Sequence, residues 1–357
     1  MPQQIEARGQ MTRAAVMNQR LDLESDIGVT VTSLGPGSPC RIEPVNDDLR
    51  SDPGAPSEWV RENKAILDAL LVEAGAILFR GFRLDDAAAF GAFFSAYGDH
   101  VGGYVGGTSP RDRIVGRVME STVVPADRVI PIHQEMAYSP RYPAKVAFFC
   151  ELPPTIGGET PVCDMRLITQ RLPPSLAENV RRLGLKYWRH FREPDYLTGE
   201  PKIDIVHRTW QDAFSTKDRH VAEAAVRTLG STCEWTSTGL LVSNLATGFA
   251  NHPQTGESIW FNQVAGYSFT ADVVGAEMEA LHKKYYASDR PAYLGVTYGD
   301  GTEIDRREVA KLNEITRQIQ VSNPWERGDA LLLDNILCGH GKNAFEGQRK
   351  IRVSLLT

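Results

Sequence analysis

Trp325-Glu326-Arg327-Gly328-Asp329-Ala330-Leu331-Leu332-Leu333-Asp334-Asn335 reads as a turn that feeds a buried strand. The chain then runs through Ile336-Leu337-Cys338-Gly339 to His340. Beyond it, Arg349-Lys350-Ile351-Arg352-Val353-Ser354-Leu355-Leu356 alternates with the period of two that a strand imposes on its side chains. Arg349 therefore shares a face with Ile351, Val353 and Leu355, so an arginine heads a face that otherwise reads as core. Burying an unmatched guanidinium is expensive, which predicts a bound carboxylate opposite it. Arg352 falls on the other face and is expected in solvent.

The strand that carries His340 has a distant counterpart. His133-Gln134-Glu135 lies 205 positions before it, counted from Glu135. Residues at i and i+2 of a strand point the same way, so His133 and Glu135 can offer an imidazole and a carboxylate to one metal, with His340 closing the triangle. A His-x-Glu tripeptide by itself is common and marks nothing. Two histidines and one carboxylate on one side of a metal, however, leave positions open for substrate and oxygen, which a closed four-ligand zinc site does not.

Further segments converge on the same place. Val146-Ala147-Phe148-Phe149-Cys150 is an apolar run, and Gly157-Gly158-Glu159-Thr160-Pro161-Val162-Cys163-Asp164 follows it. A strand, a Gly-Gly turn and a second short strand would carry Thr160 back beside the metal, its hydroxyl free to bond an acid co-substrate.

In this order, His-x-Glu, Gly-Gly-x-Thr, Gly-Asp-x-x-x-x-Asp-Asn, His and Arg resemble the Fe(II)/2-oxoglutarate-dependent dioxygenases of the taurine dioxygenase (TauD/TfdA) family. The nearest resemblance is to its clavaminate synthase-like and SyrP-like branch, and it extends from about residue 60 to 357. Gly75 to Phe82 resembles the family's early strand. Ser109-Pro110-Arg111, Trp210 to Phe214 and His252 to Gln263 look like further branch motifs. The resemblance implies a mainly β chain with flanking helices round a double-stranded β-helix, or jelly-roll, core. It also implies that His133, Glu135 and His340 bind Fe(II), that Thr160 and Arg349 hold 2-oxoglutarate, and that O2 is the co-substrate. Glu135 stands where taurine dioxygenase itself has Asp, and the SyrP-like branch also uses Glu. No taurine-type sulfonate pocket can be inferred.

On that resemblance the reaction is hydroxylation of an unactivated C–H in a small polar, amino-acid-like or natural-product biosynthetic substrate. That substrate is either free or tethered to a carrier protein. Desaturation, epoxidation and oxidative cyclisation are the alternatives within the same cofactor chemistry. A non-catalytic cupin-like binding protein and a zinc hydrolase are the rivals outside it. The substrate contacts expected are Arg111 and Arg113, which follow the Gly102 to Gly107 loop, together with Asn262 and His252. That glycine loop lacks the Gly-Lys-Ser/Thr ending of a phosphate cradle.

Composition fits an enzyme of the cytoplasm. A chain of 357 residues with 42% hydrophobic content builds a large core, and its length fits one elaborated domain. A net charge of -6 with no Lys/Arg cluster argues against nucleic acid and anionic membranes as partners. The five cysteines are scattered without Cys-x-x-Cys spacing, which disfavours both a zinc ribbon and a disulfide framework. No signal-peptide core and no stretch of ~20 apolar residues is found.

Residues 1–25 are polar and read as a flexible lead, leaving 26–357 as a single domain. Ser57 is expected to cap a helix that runs to Ala74, and Asp85-Asp86 to open a second helix whose Phe90, Phe93 and Phe94 are core. Asp164 is expected to cap a helix that Pro173-Pro174 ends. The His-, Arg- and Tyr-rich stretch near 190–220 is expected to be an inserted lid. Helices near 271–287 and 305–320 are expected outside the sheets.

Overall fold

The computed structural model describes residues 27–35, 37–101, 113–121, 125–286 and 292–357. The lead at 1–25, the glycine loop and Arg111 all lie outside them. Among the described residues the largest unit is an eight-stranded sheet. Its order is Val29–Ser33, Cys40–Pro44, Ala76–Phe79, Ala330–Asp334, Lys145–Leu152, Lys350–Leu356, Val118–Glu120 and Arg113–Val115. The apolar run ending at Asp334 pairs antiparallel with Ala76–Phe79 on one side and with Lys145–Leu152 on the other. It is buried at every position because both faces of this sheet are covered.

Period two sorts the residues between those faces. Ile77, Phe79, Ala147, Phe149, Ala330 and Leu332 join Phe90, Phe93 and Phe94 in one cluster. Leu78, Val146, Phe148, Leu331, Leu333, Ile351 and Val353 join Val162 and Cys338 in another. The first face carries the helices Ala55–Glu62, Lys64–Ala74 and Ala87–Tyr97. There Phe90 stacks on Phe149 at 5.3 Å between ring centroids, so the aromatic stripe is core as expected. The second face packs on a three-stranded sheet in which Cys338–Lys342 runs between Ile130–His133 and Val162–Asp164.

Helix ends follow local chemistry closely. Asp86 accepts from the backbone N–H groups of Ala88 and Ala89, and Asp164 accepts from that of Arg166, so both are N-caps as expected. The expected helix from Ser57 to Ala74 is instead two helices. The first starts at Ala55 with Pro56 in its opening turn, and Asn63 separates it from the second. The Asn63 amide donates to the Trp59 carbonyl at 2.9 Å, a local bond that competes with continued helix. A four-stranded sheet in the order Thr232–Thr236, Gly239–Ala246, Leu185–Arg192 and Leu294–Tyr298 lies between the segments that supply the two halves of the site. Arg306–Ile319 and Ala276–Tyr285 are helical, as their spacing predicts.

Candidate metal centre

His133 is the last residue of Ile130–His133, and His340 is the middle residue of Cys338–Lys342. The antiparallel ladder places His340 directly opposite His133, so residues far apart in the chain meet through strand pairing. Their ring centroids are 4.4 Å apart. The flanking glycines allow this closeness: a Cβ at Gly341 would lie 2.5 Å from the Ile130 carbonyl oxygen, and one at Gly339 would lie 2.7 Å from Ile132 Cγ2.

Glu135 reaches the same point by a different route from the one expected. The strand ends at His133 and Glu135 lies in the following turn, so side-chain alternation along a strand does not aim it. Asn335 does so instead. Its Oδ1 accepts from the Glu135 backbone N–H at 2.7 Å, and its Nδ2 donates to the carbonyls of Glu135 at 3.0 Å and Pro143 at 2.8 Å. Asp334 Oδ1 accepts from the backbone N–H groups of Ile336 and Leu337, which shapes the turn leading into the His340 strand. Asn335 is 0% exposed, and Asn335→Ala would remove three hydrogen bonds to buried backbone groups of Glu135 and Pro143. We expect it to cost about 2–4 kcal/mol in denaturant unfolding and to weaken metal binding. A variant as stable as the parent would show that the amide is dispensable.

One ligand atom from each of His133, Glu135 and His340 lies within 4.8 Å of the others. His133 Nδ1 hydrogen-bonds with the Pro131 carbonyl at 2.9 Å, which identifies Nδ1 as the protonated nitrogen and directs a neutral Nε2 outward as the donor. His340 Nε2 is 3.7 Å from Glu135 Oε2, and buried His340 Nδ1 has no hydrogen-bond partner among the described residues. Phe148 packs on the His340 ring at 5.0 Å. Two imidazoles and one carboxylate, nearly dry and convergent, fit an Fe(II) ion held on one side.

Two cavities meet at this triad. The smaller is lined by His133, His340, Phe148, Thr160, Lys342 and Arg349, among others. Thr160 does line this cavity, but not by way of the expected Gly-Gly turn: Gly157 lies in the short strand Ile156–Gly157, paired with Phe345–Glu346, and the strand Val162–Asp164 that follows belongs to the three-stranded sheet. At Gly158, with φ of 68°, a Cβ would press on Pro154 and Phe345 at 2.7 and 2.9 Å, so only glycine leaves room for the Arg349 stem. Arg349 Nε donates to the Gly158 carbonyl at 2.8 Å and a terminal nitrogen approaches Thr160 Oγ1 at 3.5 Å. Burial lowers the Arg349 guanidinium to about 10. Lys342 is 4% exposed, and burial, with Arg349 beside it, brings its ammonium down to about 8. Neither cation pairs with a carboxylate among the described residues. Arg352 does, and here the expectation of a solvated side chain is corrected. It is buried on the opposite face between Glu151, at 2.6 Å, and Glu120.

The larger cavity, of about 570 Å³, opens from His133 and Glu135. Its walls are mainly apolar, with Ile132, Tyr138, Tyr267 and Phe269 among them, and Arg128 and Lys202 also lining it. Lys202, Ile205 and Val206 come from the short helix Pro201–Val206, so part of the 190–220 stretch borders the cavity. His190 and His207 bond to each other at 2.9 Å, and His207 bonds to the Tyr286 hydroxyl at 2.8 Å. Burial holds these two imidazoles at about 4 and about 3, as befits neutral structural groups.

The substrate contacts expected from sequence are not assembled here. Arg113 lies exposed on the outermost strand of the large sheet. Asn262 is buried and satisfied by backbone, donating to the Gly248 carbonyl and accepting from Val264 N–H. His252 Nε2 lies 3.1 Å from Asp334 Oδ2, and so braces the turn before His340. None of these three is among the described residues that line the large cavity. Asn335 and Lys342 were missed. The signal for Asn335 was present in the Asp-Asn pair; that for Lys342 was its place two residues after His340 on the same strand.

Residues 35–355 match the family model described as Taurine catabolism dioxygenase TauD, TfdA family. A clavaminate synthase-like protein of Arabidopsis thaliana is 34% identical over 305 residues, 84% of this chain and 86% of that protein. The dapdiamide synthesis protein DdaC of Enterobacter agglomerans is 29% identical over 291 residues, 81% of this chain and 84% of that protein. Among solved structures, PvcB of Pseudomonas aeruginosa aligns with a TM-score of 0.53 at 17% identity, covering 93% of this chain and 92% of that one. A taurine dioxygenase of Burkholderia xenovorans aligns with a TM-score of 0.51 at 15% identity, covering 92% and 90%. Among the described residues no helix is long and apolar enough to cross a membrane.

Proposed function

The chain belongs to the TauD/TfdA family of Fe(II)/2-oxoglutarate-dependent dioxygenases, and on that premise we propose that His133, Glu135 and His340 hold the iron while Thr160 and Arg349 hold 2-oxoglutarate. The observation that carries this reading is the meeting of the triad with a small basic cavity on one side and a large apolar one on the other. Family membership sets aside the cupin-like and zinc-hydrolase rivals. We also read the eight- and three-stranded sheets, packed face to face, as the two halves of a double-stranded β-helix.

Each residue then has a task. Arg349 and Thr160 grip the far carboxylate of 2-oxoglutarate through a charge-assisted bond and a hydroxyl, which orients its keto-acid end toward the triad. Asn335 fixes the Glu135 backbone, and Phe148 packs against His340. With both in place, iron, 2-oxoglutarate and O2 supply the oxidant that converts C–H to C–OH, giving succinate and carbon dioxide. The apolar wall formed by Ile132, Tyr138, Tyr267 and Phe269 keeps water from the reacting carbon and holds the substrate body.

The polar, amino-acid-like substrate read from sequence is extended by that wall. We take the substrate to be an amino-acid-like or natural-product molecule with a substantial apolar body and a polar or anionic end toward Arg128 and Lys202. The Pro201–Val206 helix serves as part of its lid.

The test is incubation of the full chain with Fe(II), 2-oxoglutarate and candidate substrates, free and carrier-protein-bound, under ¹⁸O2. Succinate formation coupled to a product carrying one labelled oxygen is the expected result. An unlabelled product lighter by two mass units would instead mean desaturation or oxidative cyclisation. No succinate under any condition would overturn the cofactor assignment.

A further inference from the structure

Lys342 carries a role that the metal triad and the Arg349–Thr160 pair do not cover. It lies two residues after His340 on the same strand, and both side chains line the small cavity that also holds Arg349 and Thr160. Its ammonium donates to the carbonyls of Arg128 at 2.6 Å and Pro125 at 3.4 Å, and rests 4.8 Å from the centre of the Phe345 ring. Pro125 and Arg128 in turn line the large cavity. One buried cation thus faces the co-substrate pocket and simultaneously holds the segment that walls the substrate cavity. The Phe345 N–H adds a bond to the Ala126 carbonyl at 2.9 Å, so the 125–128 segment is held at Lys342 and at Phe345.

Lys342 and Arg349 are like charges in one poorly solvated pocket; Asp127 acts on the first and Glu159 on the second only at a distance, and neither carboxylate forms an ion pair with them among the described residues. Each disfavours the other until an anion lies between them. An entering carboxylate between them offsets that repulsion and holds the Lys342 side chain where it donates to the two carbonyls. We infer that Lys342 is a positioning residue that couples the two cavities: the 2-oxoglutarate carboxylate, drawn between Arg349 and Lys342, fixes the 125–128 wall of the substrate cavity. This rests on the reading of the small cavity as the 2-oxoglutarate site. It makes co-substrate binding a prerequisite for a well-formed substrate cavity, by reciprocal coupling between two sites.

The Arg128–Val129 peptide bond offers a direct readout, because Lys342 holds the Arg128 carbonyl and Val129 is 54% exposed. Trypsin cuts after arginine, so the rate of cleavage there reports release of the segment, with cleavage elsewhere in the chain as internal control. The full chain loaded with Mn(II) is titrated with 2-oxoglutarate by calorimetry and digested with and without it. In the parent, 2-oxoglutarate is expected to bind and to slow cleavage at Arg128. In Lys342→Met, affinity is expected to fall on the order of tenfold and the protection to disappear. Lys342→Arg is expected to restore both. Should the Met variant melt well below the parent, Lys342→Gln, which keeps a donor without the charge, replaces it and is expected to lose the protection as well. Parent-like affinity and protection in the Met and Gln variants would overturn the coupling while leaving the co-substrate site intact. Failure of the parent itself to bind 2-oxoglutarate would overturn the site, and the coupling with it.

Discussion

Alanine at His133, Glu135 or His340 is expected to abolish 2-oxoglutarate turnover, measured as succinate released, while leaving the fold intact by circular dichroism. Loss of an orienting neighbour of a metal ligand already costs about 10–100-fold, so loss of a ligand itself should exceed about a hundredfold. The fold should survive because the three residues are held by groups that alanine retains. His340 and His133 are partners in a backbone ladder, and Glu135 is tied to Asn335 through its own N–H and carbonyl. Glu135→Ala is the sharpest of the three, since it removes a carboxylate 3.7 Å from His340 Nε2 without disturbing any Asn335 bond. Fe(II) affinity should fall in parallel for all three variants. Retained turnover in any two of them would sink the metal assignment.

Arg349→Ala and Arg352→Ala are expected to fail in different ways, although the residues are three positions apart. The first removes the charge-assisted grip on the co-substrate, worth about 1.5–3 kcal/mol, and should raise the 2-oxoglutarate KM at least tenfold with little change in melting temperature. The second leaves Glu120 and Glu151 facing each other without their shared cation. Those carboxylates are partly exposed, which limits the loss to about 1–2 kcal/mol of stability, with the 2-oxoglutarate KM unchanged. Equal effects on KM, or a larger one at Arg352, would mean that the small cavity does not take the co-substrate's far carboxylate.

The divergence of these two arginines marks how far the sequence could be read. Period two placed Arg349 with Ile351 on the cavity side and Arg352 on the other, although Arg349 itself lies one residue before the strand Lys350–Leu356. Whether the outer face meets water or acid depends on where Glu120 and Glu151 fold, and these lie 232 and 201 residues away. Local chemistry was equally legible in the Asp86 and Asp164 caps and in the aromatic core stripe. Each needs only a few neighbouring residues to be specified.

Long-range pairing escaped. The aim of Glu135 comes from Asn335, 200 residues along the chain, and not from strand alternation. His252 and Asn262, polar and close to apolar runs, looked equally suited to a ligand or to the backbone. Packing decided for Asp334 and for the Gly248 carbonyl, because a buried polar group takes whichever partner the fold brings within reach. The apolar character of the large cavity was likewise hidden. Its walls come from segments between residues 125 and 294, and no single segment shows which of its side chains will face an enclosed space. The residue types and their order thus determined the chemistry and the local elements by themselves. Only the packing of distant segments decided which polar groups are left free to meet a ligand.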